Sequence, residues 1–274
     1  MRTFLPIVMG LTFLCTMAPS LPARSQHPAE APLDQTAVEE LVLANRILAN
    51  EGVVDAFGHI SVRDPRDPSR YLQSRSLPPS QVTAGDIIAF DLDGRPIDPN
   101  VRCGCYLERF IHGEIYKARP DVNAVIHTHS PTVVPFSVVP SVPLRPILLN
   151  AAFLPSQGAP VFDINSEFGA SDMLVRTPEI GKALAKRLGN SSVVLMRGHG
   201  DAVVGPTIKS AVWRAYFTEV NSRMLIAAQS LGGPIIFMDA EEAARTNEFM
   251  LGATAIDRAW AQWEQRANSS AVKR

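Results

Sequence analysis

The chain has 274 residues, 46% of them hydrophobic, and 26 basic side chains against 27 acidic ones, for a formal net charge of −1. That length suits one domain with appendages and a core that needs no staples. The balanced charge excludes a basic nucleic-acid surface and an acidic tail, so no nucleic-acid partner is expected.

The first residues read as an address. Arg2 precedes an apolar run from Phe4 to Met17, and Ala18-Pro19-Ser20-Leu21-Pro22-Ala23 follows. This is the layout of a secretory signal over 1–23, with cleavage near Ala23 and an exported, periplasmic or secreted mature chain. The run is shorter than the ~20 apolar residues of a membrane span, so no stable span is expected in the mature form. An uncleaved N-terminal anchor is the alternative. Phe13-Leu14 before Cys15 is not the small-residue context of a lipidated cysteine. Residues 24–33 form a polar, Pro-containing linker.

From Asp34 onward the pattern is α/β. Asp34 caps a helix with Val38, Leu41, Ala44 and Leu48 on one face, and Asn50-Glu51-Gly52 ends it. Phe57 to Arg63 alternates like a strand, Asp64 to Arg70 breaks it, and Tyr71–Ser74 and Ile87–Asp91 are further short strands. Asp93-Gly94 is a hairpin turn, so the sheet is at least partly antiparallel. Tyr106 to Lys117 is read as a helix with Leu107, Phe110, Ile111 and Ile115 on its apolar face, stopped by Arg119-Pro120. Val122 to Ile126 is a buried strand. Val133 to Val139 is apolar, and Pro140 to Gly169 has too many prolines and turns to assign. A helix over Pro178–Leu188 and a strand over Val193–Met196 follow. Thr207 then caps a long helix to about Leu231, ended by Gly232-Gly233-Pro234. Trp213, Phe217, Val220 and Met224 recur along it at helical spacing and mark core or subunit contact. Residues 234–274 are a helical extension, with Ile256, Trp260 and Trp263 packing on the body or on a neighbour.

The chemistry-bearing residues cluster around the middle. Strand alternation points His127 and His129 to one face and Thr128 to the other, and two neutral imidazoles at a strand end can serve Zn²⁺ or a related ion. By itself the pair fits hydrogen-bonded strand histidines equally well. Glu108 lies on the segment before that strand. A third histidine, His199, sits in Arg197-Gly198-His199-Gly200, where flanking glycines let an imidazole approach a ligand closely. Cys103 and Cys105 stand one residue apart; a bridge between them would carry strain, and free thiols are expected.

In this order, Gly-x-Ile-Ser-Val-Arg, a helical Glu, Arg-Pro-Asp-x-Asn-Ala-Val-Ile-His-x-His and Gly-His-Gly before a long helix resemble the class II aldolase/adducin family, over roughly Asp34 to Leu231. The resemblance implies a three-layer α/β/α fold around a mostly antiparallel sheet, in a domain spanning 34–233. It implies a homotetramer with sites near subunit contacts and a small-molecule substrate. It also implies a divalent ion, Zn²⁺ first and Mn, Fe or Co otherwise, on His127, His129 and His199, with Glu108 as the catalytic carboxylate.

Departures from the sugar-phosphate aldolases redirect the substrate. His59 replaces the Asn of their Gly-Asn-x-Ser motif, and Ser74-Arg75-Ser76 and Tyr106-Leu107 stand where they cradle phosphate. The guanidinium of Arg75 is a planar fork suited to a carboxylate. No tyrosine follows Tyr216, so the C-terminal proton donor of some aldolases has no counterpart. The segments are more similar to family members that decarboxylate dihydroxylated aromatic acids. Ser74, Arg75, Ser76, His59 and His112 are therefore the substrate-binding candidates, with an exposed helical histidine the other reading of His112. The function expected is a metal-dependent carbon-carbon lyase acting through an enolate. The alternatives are aldol cleavage of a hydroxy-carbonyl or sugar phosphate, a metal-dependent oxygenase, or a non-enzymatic adducin-like scaffold, against which the three histidines and Glu108 argue.

Overall fold

The computed structural model describes residues 32–272. The expected signal over 1–23, Cys15 and most of the expected linker lie outside them. The first helix, α1 (Gln35–Asn50), starts where expected: the Asp34 side chain accepts from Ala37 N at 2.9 Å, satisfying one of the free N–H groups of the first turn. Val38, Leu41, Ala44 and Leu48 are all buried.

Seven strands form one sheet: β1 (His59–Arg63), β2 (Arg70–Ser74), β3 (Ile87–Asp91), β4 (Ala124–Thr128), β5 (Val161–Phe162), β6 (Val193–Met196) and β7 (Gly200–Gly205). Their spatial order is β3-β2-β1-β4-β7-β6-β5, and every neighbouring pair is antiparallel except β5 with β6. The remaining helices are α2 (Arg109–Ala118), α3 (Val134–Val138), α4 (Ile164–Phe168), α5 (Pro178–Leu188), α6 (Ile208–Ser230), α7 (Ala240–Met250) and α8 (Ala253–Val272).

Side-chain alternation in the strands feeds two cores. Ile60, Leu72, Ile126 and Val203 point to the layer of α1, α6 and α8, where Leu41, Trp213, Trp260 and Trp263 are buried. Tyr71, Phe90, Val125 and Val194 point the other way, onto Ile111, Ile115 and Tyr116 of α2 and Leu184 of α5. The result is the expected three-layer α/β/α arrangement. By the same alternation His127, two residues after Val125, and His59 and Ser61, flanking Ile60, face the α2 and α5 layer.

Several boundaries differ from the sequence reading. The helix expected from Tyr106 begins at Arg109. Tyr106 is held outside it, because its hydroxyl donates to Leu77 O at 2.6 Å and its ring packs 4.3 Å from that of His59. Leu107 is consequently 57% exposed and leaves the apolar face. The strand expected at 122–126 runs from Ala124 to Thr128, since the turn after Pro120 persists until Val122 N donates to Arg119 O. The apolar stretch from Val133 is mostly the short helix α3.

The cysteines are also corrected. Cys103 and Cys105 form a disulfide, not free thiols. A bend at Gly104, whose carbonyl accepts from Ser76 N, brings their Cα atoms to 4.9 Å, within the bridging range. In the C-terminal extension α8 lays Trp263 against Tyr216 and Trp213, with ring centroids 4.9 and 6.4 Å apart, so it packs on the body. Among the described residues no helix is long and apolar enough to cross a membrane.

Candidate metal centre

Four side chains converge at the ends of three elements. His127 comes from the buried end of β4 and His129 from just beyond it. His199 lies in the turn between β6 and β7, where Gly198 takes φ 64°, a left-handed conformation that glycine enters without steric cost. Gly200 allows the close approach of β7 to β4. A Cβ placed on it would lie 1.8 Å from the carbonyl oxygen of Thr128. Glu108 occupies the N-cap position of α2 with no side-chain hydrogen bond to the helix, which leaves its carboxylate free to face the histidines.

The nitrogen atoms are close. His129 Nε2 is 2.9 Å from His127 Nε2 and 3.0 Å from His199 Nε2. Glu108 Oε2 lies 3.4 Å from His127 Nε2 and 3.3 Å from His199 Nε2, while Oε1 accepts from Val175 N at 2.9 Å. All four donor atoms fall within 4.8 Å of one another.

Backbone partners fix the tautomers. His127 Nδ1 is 2.8 Å from Asp201 O and His199 Nδ1 is 3.0 Å from Met173 O. A carbonyl oxygen only accepts, so both Nδ1 atoms carry the proton and both neutral rings turn an Nε2 lone pair inward. Lone pairs held this close repel unless a cation or a proton stands among them. Three imidazoles and a carboxylate of this disposition match the donor set of a divalent ion with nitrogen and oxygen ligands. Glu108 lies within this group of four atoms that could hold an ion, beside the catalytic role expected for it.

Electrostatics agree with a site for positive charge. Burial would raise the Glu108 carboxyl, but His127 and His199 outweigh it and hold it well below the usual carboxylate range. Burial works to lower His127, yet Glu108 and the Asp201 carbonyl raise it. His129 is pushed down to about 4 by burial and by its two neighbouring imidazoles.

Residues 39–226 match the family model described as Class II Aldolase and Adducin N-terminal domain. The chain belongs to this family. It is 33% identical over 258 residues, 86% of this chain and 95% of the other, to the decarboxylase tropJ of Talaromyces stipitatus. It is 31% identical over 211 residues, 73% of this chain and 81% of the other, to a 3,4-dihydroxyphthalate decarboxylase of Arthrobacter keyseri. Among solved structures, L-fuculose 1-phosphate aldolase of Glaciozyma antarctica superposes with a TM-score of 0.69 at 26% identity, covering 90% of this chain and 96% of that one.

Within this class II aldolase/adducin domain the substrate candidates separate. His59 opposes His127 across β1 and β4, with ring centroids 5.1 Å apart, and so adjoins the cluster. His112 is fully buried, not an exposed helical residue, because its face of α2 packs on the sheet; its Nε2 is 2.7 Å from His59 Nδ1. Arg75 is half exposed and donates through Nε to Asp86 Oδ1 at 2.7 Å, which leaves its terminal nitrogens for another partner. Ser74 is buried with its hydroxyl unpaired, and Ser76 donates its backbone N–H to Gly104.

Some contributors escaped the sequence reading. The carbonyls of Asp201 and Met173 orient two of the imidazoles without using a side chain, so residue identity carries no signal for them. Glu219 of α6 is buried and accepts from the hydroxyls of Ser130 and Thr132, next to His129. Its trace in the sequence is a group of polar residues, Thr218, Glu219, Asn221 and Ser222, all of them buried in the middle of α6.

Proposed function

We propose that the chain is a metal-dependent carbon-carbon lyase that releases CO₂ from a hydroxylated or dihydroxylated aromatic carboxylic acid. The observation that carries the reading is the meeting of Glu108 with three imidazole Nε2 atoms, two of whose lone pairs are turned inward by backbone carbonyls. The similarity to decarboxylases over most of the chain directs it to this reaction class.

His127, His129 and His199 would hold a divalent ion, Zn²⁺ first, which would supply a Lewis acid where negative charge develops on a substrate oxygen. Glu108 moves the proton. Oε1 is anchored by Val175 N, so Oε2 is the moving acceptor. It takes a hydroxyl proton from the substrate and delivers it to the ring carbon that bears the carboxylate, which turns the phenolate into a ring ketone; the bond to the carboxylate then breaks, its electron pair flowing through the ring to that oxygen as CO₂ leaves. Solvent reprotonates the phenolate, so one proton is consumed for each CO₂. Arg75, steadied by Asp86 at Nε, offers its other nitrogens to a substrate carboxylate.

The reading extends to export of the mature chain, from the signal-like N-terminus, and to a homotetramer. Leu231, Ile236 and Phe249, at 87%, 92% and 79% exposure, supply apolar surface for a neighbouring subunit. A parallel screen of hydroxy aromatic acids, headed by 3,4-dihydroxyphthalate, and of fuculose and ribulose phosphates tests the activity. CO₂ from an aromatic acid is expected. Aldehyde from a sugar phosphate, with no CO₂ from any acid, would instead establish aldol cleavage.

A further inference from the structure

Behind the metal cluster a row of buried polar groups runs from α2 to the sheet. Tyr116 Oη is 2.8 Å from Ser61 Oγ, Ser61 Oγ is 2.6 Å from His112 Nδ1, and His112 Nε2 is 2.7 Å from His59 Nδ1. Tyr116, Ser61 and His112 are each at most 1% exposed, so every proton in the row needs an acceptor inside the protein.

That requirement sets a direction. Among the described residues Ser61 Oγ is the acceptor bonded to Tyr116, so the phenol proton goes there and the Ser61 hydroxyl donates onward to His112 Nδ1. With Nδ1 accepting, neutral His112 carries its proton on Nε2 and donates it to His59 Nδ1. The reverse direction would leave the phenol proton of Tyr116 buried without an acceptor. His59 Nδ1 is thus an acceptor, and its one proton sits on Nε2.

We propose that Tyr116, Ser61 and His112 form a one-way hydrogen-bond chain that locks His59 as a fixed Nε2–H donor, which holds a substrate oxygen beside the metal cluster. His59 is placed for this by its register opposite His127 and by the Tyr106 ring packed 4.3 Å away. Nε2 has no hydrogen-bond partner among the described residues and is not one of the sealed, unpaired atoms of the interior. Donors aligned in one chain polarise one another, which strengthens the terminal N–H. His59 contacts substrate; His112, Ser61 and Tyr116 position it. The choice of substrate oxygen, hydroxyl or carboxylate of an aromatic acid, rests on the decarboxylase reading, whereas the direction of the chain does not.

The test has two arms. In zinc-loaded protein carrying ¹⁵N-histidine, nitrogen shifts report the tautomer without any substrate, with His59→Gln and His112→Gln supplying the assignments. His59 is expected as the Nε2–H form in the wild type and as a mixture of tautomers in Tyr116→Phe. A wild-type Nδ1–H form, or no change in Tyr116→Phe, overturns the chain. In the second arm, binding of 3,4-dihydroxyphthalate is measured by calorimetry. His59→Gln, whose amide nitrogen replaces Nε2–H, is expected to stay within a few-fold of wild type, and His59→Leu to bind about tenfold or more weakly. Wild-type affinity in His59→Leu, with CO₂ release intact in the wild type, overturns the contact and leaves the decarboxylase reading standing. Absence of binding and of CO₂ release in the wild type overturns that reading and the contact together, while the ¹⁵N shifts still decide the direction of the chain.

Discussion

Glu219 on α6 accepts a hydrogen bond from the hydroxyl of Ser130, the residue that follows His129. Thr132 donates to the same carboxylate oxygen, and Ser130 Oγ in turn accepts from Val133 N at 3.2 Å. The loop that presents His129 is therefore tied to the layer on the opposite side of the sheet from α2. Groups that orient metal ligands from behind typically alter metal affinity by ~10–100-fold. Glu219→Gln keeps the shape but weakens the acceptor. Zn²⁺ affinity, measured by competition with a chromophoric chelator, is expected to fall about tenfold, and unchanged affinity would show that the loop holds itself.

His199→Ala removes one of the three converging imidazoles, and its tautomer is fixed in advance by Met173 O. Metal content of the purified variant, measured by elemental analysis, is expected to fall well below that of the wild type. Chelation should lower the Tm of the wild type more than that of His199→Ala, because an ion bound to the folded state stabilises it by mass action. Equal metal content in both proteins would remove His199 from the ligand set.

Glu108→Gln replaces the group assigned to proton transfer. The variant is expected to retain metal through the histidines and to lose about two or more orders of magnitude in kcat with a smaller change in KM. Turnover near that of the wild type would move the role to another residue.

Acid stability follows from His112. Burial pushes it from an ordinary 6.5 down to about 3, so between these values the unfolded chain binds a proton that the folded one refuses. Its contribution is fully present above about pH 6.5 and is lost as pH falls toward 3. Burial also lowers His59 and His129, in the same direction. Urea titrations of the metal-free protein across this window should show stability rising with pH, and a shallower slope in His112→Gln. Parallel slopes would mean that His112 is already charged in the folded state.

Arg75→Lys replaces a planar fork by a point charge at a side chain whose Nε already serves Asp86. KM for the aromatic acid is expected to rise strongly with kcat less affected. No change in either constant would return Arg75 to the surface.

Local signals carried the first and last helices, the Pro178–Leu188 helix, the Val193–Met196 strand and the histidine pair, because caps, glycines and alternation act over a few residues. The boundaries that moved depended on distant partners. Tyr106 is kept out of the helix by Leu77, and the cysteine bridge depends on a bend pinned by Ser76. His112 reads as exposed until the sheet covers its face of α2. The candidate ligands were legible one at a time, since each histidine lies in a strand end or glycine turn with its own signature. The carbonyls that set their tautomers were not, because a backbone acceptor leaves no mark in composition.

Gly200 has no side chain that could serve as a ligand, yet the missing methyl group at this position is what lets β7 lie against the end of β4. Any substituted residue there must push Thr128 away, and with it the neighbouring histidines on either side. A library of random variants sorted for loss of bound metal should therefore return position 200 as often as positions 127, 129 and 199, so the substitution map of this protein will mark as intolerant a residue that carries no functional group at all.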